Sequence, residues 1–351
     1  MWNRTTWGAV SDLKYGKALR GYSADGGAVE VFGTNGPIGW TGESLTNGPR
    51  PIVGRKGAYR GVHLARGPFW VIDTAYWLEP SGELDPIFAY YNLLTVDING
   101  MDSGSAIPSL TKSHFVSMPL FLPPLDEQRR IVEVLGALDD LIDTNEQLKS
   151  DLDELARATF LRAWDGESWM TVAELGEVIM GQSPPGDTYS ETPVGVPFHQ
   201  GVRDFGARFP TSRIYCSAPT RIAEAGDILI AVRAPVGEMN VAPERIAIGR
   251  GLAALRATRP STALQAIRAF ESTWSAHQGT GTVFSSINGR DLRAAKVPLV
   301  DDETVEAALW ELDHAYAGLH HEGAELRRMR DELLPLLMSG AVRVRPEGVA
   351  A

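Results

Sequence analysis

The chain has 351 residues, 44% of them hydrophobic and 22% charged, a composition that leaves room for two globular domains and excludes a disordered polymer. No stretch approaches the ~18 consecutive apolar residues of a membrane-spanning helix, and no apolar run follows Met1-Trp2-Asn3-Arg4, so no membrane association and a cytoplasmic location are expected. A lone cysteine, Cys216, excludes an internal disulfide framework and a multi-cysteine zinc site, and a net charge of −11 weighs against a polyanionic partner until its distribution is considered.

In chain order, a glycine-rich, strand-leaning segment comes first, with landmarks at residues 7–13, 51–55 and 69–75, a predicted helix over 86–94, and the run Gly104-Ser105-Ala106-Ile107-Pro108 ahead of Leu110. A long amphipathic helix is predicted over 123–165. A second strand-leaning segment repeats the landmarks at 169–175, 226–233 and 248–253, with a helix over 262–274 and a small-residue run over 281–287. A second long helix over 300–341 and a short tail, 342–351, complete the chain. Recognition lobes are therefore expected over 1–122 and 166–299.

The two long helices carry matching heptad seams. From Ile131, steps of three then four residues reach Val134, Leu138, Leu141, Asn145, Leu148, Leu152, Leu155 and Thr159; a shift of 178 reaches Leu309, Leu312, Tyr316, Leu319, Gly323, Leu326, Arg330, Leu333 and Leu337. This is the pattern of helices that pair along a narrow stripe, and the chain reads as one unit written twice. The link between the first helix and the second lobe, near 164–168, is short, so the helices are expected to pair antiparallel. They would make a rod of about 57 Å with a lobe at each end and an approximate two-fold axis between them. In that register Asn145 is expected to meet Gly323. The expected class is α+β: two α/β lobes in tandem, separated and joined by two antiparallel coiled-coil helices.

Charge follows the same division. Residues 1–122 carry 10 basic and 10 acidic side chains and residues 166–300 carry 13 and 12, whereas 123–165 and 301–351 each carry 5 and 11. The acidity lies in the helices, which suits a protein partner. The neutral lobes remain free to present a basic face to phosphates.

Motifs of catalysis do not assemble. Gly16-Lys17 is followed by Ala18, not by the Ser or Thr of a phosphate loop, and Gly33, Gly36 and Gly39 have turn spacing, not dinucleotide-loop spacing. His320-His321 has no Glu at metal-ligand spacing. The Asp/Asn-Pro-Pro-aromatic quartet of an adenine methyltransferase and an acid-acid-lysine nuclease cluster are both missing.

The run Pro123-Pro124-Leu125-Asp126-Glu127-Gln128-Arg129-Arg130-Ile131-Val132, with Gly104-Ser105-Ala106-Ile107-Pro108 upstream, resembles the specificity subunit of type I restriction-modification systems along essentially the whole chain. The second copy, Val297-Pro298-Leu299-Val300-Asp301-Asp302-Glu303, departs by keeping one proline and no Gln. The resemblance implies a non-catalytic subunit that binds double-stranded DNA at a bipartite, asymmetric site. It would position two adenine-methyltransferase subunits and, in the full complex, restriction and translocase subunits. It also implies that S-adenosylmethionine, ATP and magnesium sit on those partners, with none on this chain, and that Asp126, Glu127, Gln128 and Arg130 face a partner. The seam is assigned to Ile131, Leu138, Asn145, Leu152, Leu312, Leu319, Gly323 and Leu326.

Arg and Lys bond guanine, Asn and Gln bond adenine, and glycine-rich loops approach phosphates closely. The candidate DNA-binding residues on that basis are Lys17, Arg20, Tyr22, Asn35, Arg55, Lys56, Tyr59, Arg60 and Lys112 in the first lobe. In the second they are Gln182, His199, Gln200, Arg203, Arg208, Arg233 and Asn288, with Arg55 and Arg233 paired as residues following equivalent strands. The alternative is a coiled-coil scaffold or dimerisation protein whose lobes bind protein. A stand-alone enzyme is the third class, for which no titratable constellation is visible.

Overall fold

The computed structural model describes residues 2–101, 108–269 and 286–345. The chain divides into a first unit, residues 1–144 with 322–351, and a second unit, residues 145–321. The runs at 104–107 and 281–285 and the predicted helical residues 270–274 lie outside the described residues.

The first unit opens with β1 (Asn3–Thr6), α1 (Trp7–Val10) and β2 (Ser11–Tyr15), followed by β3 (Val29–Gly33), β4 (Gly36–Thr41), β5 (Thr46–Asn47), β6 (Arg50–Gly54), β7 (Val62–Ala65), β8 (Pro68–Val71) and β9 (Ala75–Pro80). The helices α2 (Pro86–Leu94) and α3 (Lys112–Ser117) and the strand β10 (Pro119–Leu122) complete the lobe, and β10 pairs back on β1. One sheet has the order β2-β9-β6-β7; the other runs β4-β3-β8-β5, with β3 and β8 parallel. The expected helix over 86–94 forms because Pro86 presets its first turn and Asp85 accepts hydrogen bonds from the Ile87 and Phe88 amides. Trp7, Phe88, Tyr91 and Phe115 fill the core.

The long helix α4 runs 39 residues, Leu125–Ala163, and the unit division falls within it. The second unit repeats the strand plan: β11 (Trp169–Thr171), α5 (Val172–Leu175), β12 (Gly176–Met180), β13 (Tyr189–Ser190), β14 (Val196–His199), β15 (Tyr215–Cys216), β16 (Ile222–Ala223), β17 (Ile228–Ala231), β18 (Met239–Val241), β19 (Ile246–Ile248) and β20 (Leu252–Ala257). Then come α6 (Pro260–Arg268), α7 (Gly289–Ala294), β21 (Lys296–Pro298) and the second long helix, α8 (Glu303–Ser339). Its sheets are β12-β20-β17-β18 and β13-β15-β14-β19-β16, again with one parallel pair, β14 and β19. The repeat read from the helices thus extends to strand order and register within the lobes.

Within each unit the two long helices run antiparallel. In the first, Arg330 donates to Asp139 at 3.0 Å, while Leu337 and Met338 share a core with Ile131 and Leu135. In the second, Lys149 lies 5.8 Å from the Tyr316 ring, and Ala156 and Phe160 pack in a core with Leu309. Rising numbers on α4 meet falling numbers on α8.

The structure corrects half of the first seam. Ile131, Leu138, Asn145 and Leu152 are buried or half-buried, as are Leu312, Leu319, Gly323 and Leu326 on α8. Val134, Leu141, Leu148 and Leu155 are exposed, and the inward positions are their successors Leu135, Ile142, Lys149 and Ala156. The steps on α4 are four then three. Lys149 keeps its stem inside and its ammonium on Glu146 at 2.8 Å, a disposition open to a long amphipathic side chain. Leu155→Gln should therefore change stability by no more than about 0.5 kcal/mol. Ala156→Leu should cost about 1–3 kcal/mol by overpacking, and urea unfolding of the two variants would show the reverse order if the sequence-derived steps were right.

Candidate nucleic-acid interface

In the first unit, the ends of β2 and β6 and the β8–β9 turn come together at one edge. The Lys17 amide donates to Val71 O at 2.8 Å, and the Lys17 carbonyl accepts from Trp70 Nε1. Arg55 lies 5.1 Å from the Tyr15 ring and 5.6 Å from the Tyr76 ring and donates to Asp73 O, while Lys56 pairs with the Asp73 carboxylate at 3.4 Å. The turn at Thr34 and Asn35 joins this edge, since Thr34 Oγ1 donates to Lys56 O at 2.7 Å. The structure thus gathers Lys17, Asn35, Arg55, Lys56 and Tyr59, all exposed or half-buried, along one edge of the lobe. Arg20 and Tyr22 are exposed on the neighbouring connection to β3. Lys112 lies elsewhere, bonded at 2.8 Å to Asp12 near the other end of β2.

The corresponding edge of the second unit carries Gln182, whose amide donates to Ile248 O as that of Lys17 does to Val71 O, together with Gln200 and Arg233. Ser183 bridges the edge: its hydroxyl donates to Gln200 Oε1 at 3.0 Å and accepts from Arg250 Nε at 3.1 Å. Arg203 is exposed just beyond Gln200. Ser183, Tyr15 and Arg250 were not among the sequence candidates. Tyr15 is 52% exposed beside Arg55, and Arg250 occupies the β19–β20 turn, where the first unit has Asp73. Arg250 was within reach, because it sits inside the landmark run 248–253.

The structure also corrects four candidates and one pairing. Arg60 and Arg208 are buried: the first donates to the carbonyls of Gly57, Ile98, Asn99 and Met101, the second is held by Asp153 and Asp313 with its guanidinium 4.0 Å from the Tyr316 ring. His199 is buried in β14, and desolvation lowers its imidazole's pKa and keeps it neutral. Asn288 is the N-cap of α7, accepting from the Arg290 and Asp291 amides. The pairing of Arg55 with Arg233 shifts by one, because Lys56 bridges to Ser109 and Arg233 to Ser286 in the same register.

Of the four residues at the start of α4 expected to face a partner, only Asp126 is exposed. Glu127 is buried on Arg343 at 2.6 Å, Arg130 donates to Val344 O, and Gln128 is fully buried. The Gln128 amide accepts from the Asp85 N–H at 2.8 Å and donates to Glu83 O and Pro123 O, tying helix to lobe. Its counterpart in the second copy is Glu306, whose carboxylate accepts from the Ser261 and Thr262 amides at the start of α6. Pro298 stands in the strand register of Phe121, not of the proline pair, so aligning the two prolines does not reach Glu306. The seam offset of 178, applied to Gln128, finds it.

The two lobes share one topology, each gathers basic and amide side chains at one sheet edge, and each is followed by a long helix. The type I restriction modification DNA specificity domain matches residues 34–154. The chain is 31% identical over 265 residues to a protein described as a putative type I restriction enzyme specificity subunit of Methanocaldococcus jannaschii, covering 68% of this chain and 62% of that one. It is 25% identical over 144 residues to the EcoprrI specificity subunit of Escherichia coli, covering 39% and 36%. Its matches therefore span less than two thirds of either relative. The crystal structure of a type I restriction-modification S subunit from M. genitalium has the same fold, with a TM-score of 0.69 over 96% of both chains at 19% identity. Over residues 34–154 the chain thus carries a type I restriction modification DNA specificity domain, and over most of its length it is similar to DNA specificity subunits of type I restriction-modification systems.

Among the described residues no group of three His, Cys, Asp or Glu is placed to hold a metal ion, and no helix is long and apolar enough to cross a membrane.

Proposed function

We propose that this chain is a non-catalytic DNA-reading subunit whose two lobes recognise the two halves of a bipartite, asymmetric site, and that its acidic helices carry methyltransferase subunits. Restriction and translocase subunits would join them in a full complex, with S-adenosylmethionine, ATP and magnesium on those partners. The observation that carries this reading is the repeated edge. Lys56 and Arg233 stand at one register position, each on a loop bridged to a serine, while the residues around them differ between the lobes. Two copies of one scaffold with different edge chemistry suit two different half-sites. The outward groups are Lys17, Arg20, Tyr22, Asn35, Arg55, Lys56 and Tyr59 in one lobe and Gln182, Gln200, Arg203, Arg233 and Arg250 in the other.

Purified with the methyltransferase of its own system, the chain should protect one two-part site with an unread spacer. Its affinity should fall by about 10³-fold or more between 50 and 200 mM salt as counterions are released. Protection of a continuous site, or binding indifferent to salt, would favour the protein scaffold instead.

A further inference from the structure

The loop between β6 and β7 is fixed far more firmly than a surface connection needs to be. The Gly54 amide donates to Gly61 O at 2.8 Å and closes residues 55–60 into a loop. The Gly57 amide donates to Pro108 O, Thr34 holds Lys56 O, and the Gly61 amide donates to Thr34 O. Arg60 is the principal anchor. Only 3% exposed, it spends its guanidinium on four backbone carbonyls at 2.9–3.3 Å, and its own amide donates to Asn99 Oδ1 at 2.7 Å. Burying a cation on carbonyls alone is an expensive way to shape a turn. Next to it, Tyr59 is 78% exposed, and no ring or cation contact involves it among the described residues.

The second unit has the same connection without this arrangement. Ala231 donates to Glu238 O at 2.8 Å, closing a loop of equal length. In that register Val236 stands where Tyr59 does and is 2% exposed, and Gly237, at φ +92°, replaces Arg60. The topology therefore does not force an aromatic outward. The first lobe holds one there.

We infer that Tyr59 is the aromatic base contact of the first lobe, its ring laid against a single base pair and determining specificity at that position, with Arg60 as the residue that positions it. The inference rests on the DNA-reading function proposed above. A tyrosine on a loop already immobilised loses little freedom on binding, and its apolar face suits a base or a thymine methyl while Arg55 and Lys56 beside it suit phosphate. Recognition at one base pair of a duplex site is worth roughly ten- to hundred-fold in affinity.

The test uses the full chain assembled with its methyltransferase partner, bound to its mapped site and to duplexes in which each base pair of both half-sites is changed in turn. Tyr59→Ala should lose roughly ten- to hundred-fold on the mapped site and cease to discriminate at one base pair of one half-site, with the other half-site read as before. Tyr59→Phe should stay within about three-fold, since the ring and not the hydroxyl carries the contact. Three results overturn the inference and leave DNA reading intact: Tyr59→Ala that discriminates like the parent, a loss equal on specific and nonspecific duplexes, or Tyr59→Phe as impaired as Tyr59→Ala. A parent complex that protects no bipartite duplex overturns both.

Discussion

Replacing Arg208 by Ala should destabilise the unit of residues 145–321 by about 3 kcal/mol, the low end of the range for removing one partner from a buried charge network. Arg208 joins α4 to α8 within that unit, bonding Asp153 on one helix and Asp313 on the other, and its guanidinium covers the Tyr316 ring. The low end applies because both carboxylates keep some solvent contact, 24% and 21%, and because Arg268 remains on Asp153 at 3.0 Å. Burial by itself would raise the Asp153 carboxyl, but hydrogen bonds and charge from Arg268 and Arg208 outweigh it and hold the carboxyl below its ordinary range. A carboxyl depressed by folding adds stability that is present above the ordinary carboxylate range and disappears as pH falls through the folded value below it. Arg208→Ala should therefore also flatten the loss of stability with acid. Urea unfolding at pH 7 and pH 3, with amide exchange resolved over residues 145–321, checks both; an unchanged midpoint at pH 7 would sink the assignment.

Gln128→Ala should cost the isolated chain about 2–4 kcal/mol. The residue is fully buried, and its loss strands the Asp85 amide and the carbonyls of Glu83 and Pro123. If Gln128 served as a partner contact, the same substitution would leave the isolated chain's unfolding unchanged and weaken assembly alone. Glu306 offers a graded comparison. The Ser261 and Thr262 amides donate to different oxygens of the Glu306 carboxylate, so Glu306→Gln keeps an acceptor for one of them and loses the other hydrogen bond together with the attraction between a carboxylate and the start of α6, about 1–2 kcal/mol in all. Glu306→Ala removes the acceptor and should cost more.

These residues mark the limit of reading by motif. A run such as Pro123 to Gln128 is equally suited to closing a lobe and to meeting a partner, and only the positions of Glu83 and Asp85, some 45 residues earlier, favour the first for Gln128. The same holds for Arg60 and Arg208. An arginine in a glycine-rich loop looks like a reader of bases until tertiary structure places carbonyls or carboxylates around it. His199 lies in the strand register of Phe32, and an apolar neighbourhood there keeps it inside and neutral.

The sequence by itself determined the duplication, the two long helices and the course of the second seam, because a 3.5-residue apolar period and a constant offset of 178 need no tertiary information. It also located the α2 helix, through Asp85 and Pro86, and confined the acidity to the helical segments. Which face of α4 turns inward was decided only in three dimensions. At 134/135 and 141/142 both adjacent residues are apolar, and hydrophobicity cannot choose between them. At 148/149 and 155/156 it chooses wrongly, since the backbone's direction against α8 and the lobe buries Lys149 and Ala156 and leaves two leucines in solvent. The edges that gather Lys17 with Lys56 and Gln182 with Arg233 arise likewise from parallel and antiparallel strand registers between distant segments. Local propensity carries no record of those registers.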